Sequence, residues 1–89
     1  MLEAAESDVV SVCVPPAVHA DVVVDCTYSN SVDAIHCEKL MDLTWDGAQR
    51  MAQTSWRKDV QLMFNNQRRF KPSWARARDI VRSWAIGQL

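Results

Sequence analysis

Asp21-Val22-Val23-Val24-Asp25-Cys26-Thr27-Tyr28 is the stretch on which the fold of this chain turns. Its β-branched residues favour an extended backbone, and in a strand Val22, Val24, Cys26 and Tyr28 share one face. Upstream, Asp8-Val9-Val10-Ser11-Val12-Cys13-Val14 has the same character, with Val10, Val12 and Val14 on one face. Pro15-Pro16 breaks the first run and permits a turn before His19. The two runs predict a β-hairpin within residues 1–30, or a long extended arm lying on a partner, since an isolated hairpin is barely stable.

Beyond Ser29 the pattern reads as helical. Ser29-Asn30-Ser31 offers N-caps, with Asp33 near the positive end of the dipole, so a first helix is expected over about Val32 to Leu43. Thr44 can cap a short second helix carrying Trp45, Ala48 and Met51. Thr54-Ser55 offers another cap, opening a helix to roughly Arg69 or Phe70. In it Trp56, Val60, Met63, Phe64 and Phe70 form an apolar side opposite Arg57, Lys58, Arg68 and Arg69. Pro72 suits the first turn of a last helix and Gly87 its left-handed end. The expected fold class is therefore mainly α (α+β). An N-terminal hairpin or extended arm (1–30) precedes a helical domain (31–89) of three to four short helices packed as a small bundle, within a single domain.

Charge is unevenly divided. Residues 1–46 hold nine acidic side chains against one base, Lys39, while residues 47–89 hold nine bases against Asp59 and Asp79, so a net charge of −1 conceals a polarised chain. Such asymmetry points to a basic surface meeting nucleic acid or an acidic partner. The candidate contact residues are Arg57, Lys58, Arg68, Arg69, Lys71, Arg76, Arg78 and Arg82, whose cationic heads match phosphate. Asn65 and Asn66 are the amides able to read base edges or bond protein backbone. Trp45, the least clearly placed of four tryptophans, is the candidate interface anchor.

Catalytic signatures are sparse. Two glycines, Gly47 and Gly87, form no phosphate-cradling loop. Adjacent His36 and Cys37 diverge by about 100° on a helix, and Cys13, Cys26, His36 and Cys37 lack the local spacing that clips zinc. Glu38 and Asp42 read as a solvated pair. No cofactor and no metal is expected, and a small-molecule ligand is not expected either. No apolar run approaches the roughly 20 residues that span a bilayer, and the acidic start shows no secretory or mitochondrial signal. Three cysteines, an odd number, favour free thiols and an intracellular, reducing compartment.

Val60-Gln61-Leu62-Met63-Phe64-Asn65-Asn66-Gln67-Arg68 resembles the recognition helix of homeodomains. The resemblance implies base reading by Asn66 and backbone contacts from Arg68 and Arg69. It covers nine residues; Met63 stands where that family has Trp, and the preceding turn, the β-like N-terminus and the acidic balance all depart from it. Membership is not inferred. The functional expectation is a non-enzymatic adaptor or structural subunit of a larger assembly, with protein subunits and RNA or DNA as partners. The alternative is a sequence-reading DNA-binding module using helix 55–70. A thiol or metal enzyme is the remote third reading.

Overall fold

The computed structural model describes residues 7–89. Its elements are β1 (Val9–Val12), a 3-10 turn (Pro16–Val18), α1 (His19–Thr27), β2 (Ala34–Cys37), α2 (Trp45–Arg57), β3 (Gln61–Phe64), a second 3-10 turn (Gln67–Phe70) and α3 (Pro72–Arg82). The strands form one parallel sheet in the order β1-β2-β3, with Val9, Ala34 and Gln61 in one row and Val12, Cys37 and Phe64 in another. Each parallel step is bridged by a helix, which makes two consecutive βαβ units. The molecule is α/β. The expected mainly α bundle with a hairpin is incorrect, and residues 1–6 of the expected arm lie outside the described residues.

The valine run explains the first error. His19, Ala20, Val23, Cys26 and Thr27 are buried while Asp21 and Asp25 face outward, a helical spacing of buried positions. Three valines in a helix cost roughly 0.5 kcal/mol each against alanine. Burying Val23 alone contributes about 1.5–3 kcal/mol, so packing overrides local preference.

The expected helix over Val32 to Leu43 is instead β2, the central strand. Ile35 and Cys37 are fully buried, and Val32 just before them is nearly so. This strand is paired on both sides, and its inward side chains Ile35 and Cys37 are closed off from solvent. Thr44 caps α2 as expected: its Oγ1 accepts from Gly47 N at 3.0 Å. The Asp42 carboxylate accepts from Thr44 N at 2.9 Å and Thr44 Oγ1 at 2.8 Å. A Cβ at Gly47 would fall on that carboxylate.

The expected helix 55–70 does not form. Thr54 and Ser55 lie in the last turn of α2, which closes with Val60 N donating to Ser55 O and Asp59 N to Trp56 O. This is a Schellman ending in which Asp59, with φ 56°, takes the place usually held by glycine. Val60, Leu62 and Phe64 then alternate inward and Gln61 and Met63 outward, a strand period. The DNA-reading alternative loses its helix with this correction. Pro72 does open the last helix, α3, and Gly87 does take positive φ (87°), although the helix itself ends five residues earlier.

Alternation divides the sheet cleanly. Val10, Val12, Ile35, Cys37, Leu62 and Phe64 face the core, which Val23 and Met51 complete from α1 and α2. The opposite face, with Val9, Ser11, His36, Gln61 and Met63, carries no covering helix among the described residues. α3 packs only on the 3-10 turn before it, which gives an elongated body of 53 × 25 × 24 Å.

Candidate ligand cleft at the carboxyl ends of the strands

In a parallel sheet all strands end on the same edge, and ligands of open α/β sheets bind outside those carboxyl ends. Here that edge carries Cys13-Val14 after β1, Glu38-Lys39 after β2 and Asn65-Asn66 after β3. The pairing runs one step past the strands, with Glu38 N donating to Val12 O at 3.0 Å and Asn65 N to Cys37 O at 2.9 Å. The side chains at the edge are thus held on a rigid support.

His19 locks two of these loops together. Its ring is fully buried, with Nδ1 2.7 Å from Leu40 O and Nε2 2.8 Å from Val14 O. The ring is thereby wedged between the two carbonyl oxygens, one at each nitrogen. This clamp joins the segment after β1 to the segment carrying Lys39. Beside it, Asn65 Nδ2 donates to Glu38 Oε1 at 2.8 Å, and that bond is the main cause holding the Glu38 carboxyl below its ordinary range.

Beyond this pair opens a cleft of about 700 Å³ lined by Lys39, Leu40, Asn65, Asn66, Gln67, Arg68, Arg69 and Lys71. Five of the residues singled out in the sequence, Asn65, Asn66, Arg68, Arg69 and Lys71, therefore gather here, on a loop and turn. The others are dispersed. Arg57 and Lys58 sit at the opposite edge, where the Lys58 ammonium lies 4.5 Å from the Tyr28 ring. Arg76, Arg78 and Arg82 are on α3, with Arg78 paired to Asp79. Trp45 opens α2 and is 76% exposed, without a partner surface among the described residues.

Sequence reasoning missed His19, Glu38 and Lys39. Their roles depend on three strands ending together, which stays hidden as long as β2 and β3 read as helices. A second, larger groove of about 870 Å³ runs along the open edge of β1, past Val10, Val14, Val22 and Cys26. Asp25 is the one charged group lining it.

Cys13, Cys26 and Cys37 are free thiols. Burial pushes the Cys26 and Cys37 thiols up, away from the reactive thiolate. Among the described residues no three His, Cys, Asp or Glu side chains gather as metal ligands. No helix there is long and apolar enough to cross a membrane.

A dinucleotide's pyrophosphate needs backbone N–H groups approached closely, usually over glycine at a strand–helix turn. The turn after β1 instead carries Pro15 and Pro16, which have no N–H. Gly47 lies inside α2, and Gly87 lies beyond α3. The described residues do not fit a pyrophosphate. They fit an oxygen-rich small molecule, met by ammonium, guanidinium and amide donors.

Comparison with known proteins agrees with this architecture. Residues 1–66 match the GFO/IDH/MocA family, described as "Oxidoreductase family, NAD-binding Rossmann fold". The chain is 34% identical over its full 89 residues to the rhizopine catabolism protein MocA of Rhizobium meliloti, of which it covers 27%. Among solved structures, myo-inositol 2-dehydrogenase from Lactobacillus plantarum superposes with a TM-score of 0.83 at 20% identity, over 100% of this chain and 26% of that one. A probable dehydrogenase from Thermotoga maritima superposes with a TM-score of 0.77 at 27% identity, over 97% of this chain and 26% of that one. The chain thus spans about a quarter of the length of the relatives it matches.

Proposed function

The chain belongs to the GFO/IDH/MocA oxidoreductase family, and on that premise we propose that it forms the substrate-facing part of an NAD-dependent oxidoreductase acting on a hydroxylated small molecule. The family match overturns the expectation of a non-enzymatic adaptor with protein subunits or nucleic acid as partners. The physical reason lies in the fold. The basic segment that suggested a phosphate-tracking helix is a loop and turn at the ligand edge of a parallel sheet. The thiol and metal alternative is displaced as well.

The observation carrying the proposal is the cleft of Lys39, Asn65, Gln67 and Arg68 outside the carboxyl ends of β2 and β3. Lys39 follows the central strand and extends three donors toward a substrate oxygen. Asn65, fixed through its amide by Glu38, keeps the floor of the cleft in place. His19 acts through others: by bonding Leu40 O and Val14 O it sets the path of the loop bearing Lys39. These side chains bind and orient; none is a redox group.

Backbone amide NMR of the chain, titrated with a panel of polyols and sugar acids, tests this reading. Shift changes are expected at residues 38–40 and 65–69. Changes confined to residues 28–33 and 57–61, at the amino ends of the strands, or no change with any compound, would refute it.

A further inference from the structure

The cleft is lined by four cations, Lys39, Arg68, Arg69 and Lys71, and by no carboxylate. The neighbouring acid Glu38 accepts from Asn65. Among the described residues the side-chain ion pairs are Arg50 with Asp21 and Arg78 with Asp79, both away from the cleft. The four cations therefore face the same space without a carboxylate within ion-pair distance there. Glu38 acts electrostatically on Lys39, which leaves Arg68, Arg69 and Lys71 as the cleft cations without an acidic partner among the described residues.

Hydrogen-bonding capacity argues in the same direction. Lysine and arginine donate and never accept, so acceptors at the cleft wall are confined to the Asn65, Asn66 and Gln67 amide oxygens and backbone carbonyls. Of these, Leu40 O already accepts from His19. A neutral polyol hydroxyl can accept one of these bonds, but it brings no charge to offset the gathered cations. A carboxylate or phosphate brings acceptors alone and suits guanidinium groups in paired geometry. Arg68 is further steadied by the Trp74 ring, 6.0 Å from its guanidinium carbon.

We propose that this cleft selects an anionic hydroxylated ligand, a sugar acid or sugar phosphate, with Arg68, Arg69 and Lys71 receiving the anionic group and Lys39 a hydroxyl. The inference rests on the cleft being the substrate site and deepens that reading by naming the substrate class.

Calorimetric titration of the chain with galacturonate, glucose 6-phosphate, neutral galactose and inorganic phosphate tests it. Hydrogen bonds to charged groups are stronger than those between neutral ones, so one of the two acidic sugars should bind about tenfold or more tighter than galactose. Which of the two binds tighter identifies the anionic group as carboxylate or phosphate. The double variant Arg68→Gln/Arg69→Gln should lose the preference, while Arg76→Gln/Arg82→Gln on α3 should keep it; circular dichroism verifies that both fold. Galactose binding as tightly as the acidic sugars would overturn the anionic class yet leave the cleft as the substrate site. Inorganic phosphate binding as tightly as the acidic sugars would reduce the cleft to a plain anion patch and overturn the proposal. An unchanged preference in the Arg68/Arg69 variant would also overturn it. No binding by any compound would remove the substrate-site reading together with it.

Discussion

At the scale of single residues, the fold is held by a few polar groups that find partners and, among the described residues, one buried side chain that does not. Ser55 is buried against the core and its hydroxyl has no hydrogen-bond partner. Leaving a buried hydroxyl unsatisfied costs about 1–3 kcal/mol, so Ser55→Ala should stabilise the protein by roughly 1 kcal/mol, read as a shift of the urea midpoint at unchanged slope. Asp42 is the opposite case. Hydrogen bonds from the Thr44 backbone N–H, then from its hydroxyl, hold the carboxyl below its ordinary value of 3.8. A carboxyl depressed on folding contributes stability that is present above its unfolded pKa and lost as pH falls through the folded one. Side-chain carboxyl NMR should therefore find Asp42 titrating below 3.8, and Thr44→Ala should bring its midpoint back up. A titration unchanged by that substitution would show that the cap does not hold the carboxylate.

At the scale of elements, turns decided more than propensities did. The chain leaves α2 through Asp59 in the left-handed region, where side-chain-bearing residues cost roughly 1–2 kcal/mol and aspartate somewhat less. Asp59→Gly should therefore be neutral or raise stability by about 0.5–1 kcal/mol, measurable by thermal melting; a clear loss would mean that the aspartate side chain supports the turn. With no glycine at that position, nothing in Trp56-Arg57-Lys58-Asp59 announced a helix end, and helix 55–70 was the natural misreading. β1, the Thr44 cap and the Pro72 start were legible, because each rests on local chemistry within a few residues. The identity of α1 was present in the spacing of Ala20, Val23 and Thr27, though masked by the β-branched composition around it. Of the candidate site, Asn65, Asn66, Arg68, Arg69 and Lys71 were legible as a charged, amide-bearing cluster. His19, Glu38 and Lys39 were not, since a lone histidine and an isolated Glu-Lys pair have no meaning until the strands end side by side.

At the scale of the whole molecule, the sheet has one packed face and, among the described residues, one bare face, and α3 extends away on its own turn. Because α3 packs against nothing else among the described residues, a chain ending at Lys71 should melt within a few degrees of the full one. A loss of about 1 kcal/mol would already shift the midpoint by roughly 4–8 °C in a domain this size, so a larger fall would show that α3 supports the body. Composition and local pattern were enough to establish the charge polarity, the first strand, two helix starts and the basic cluster at 68–71, for these depend on side-chain type and near neighbours. Strand against helix at residues 19–27 and 34–37, the parallel order of the sheet and the meeting of Lys39 with Asn65 were settled by packing alone. Four-residue strands carry too little periodicity to declare themselves, and their state follows from which neighbours bury them.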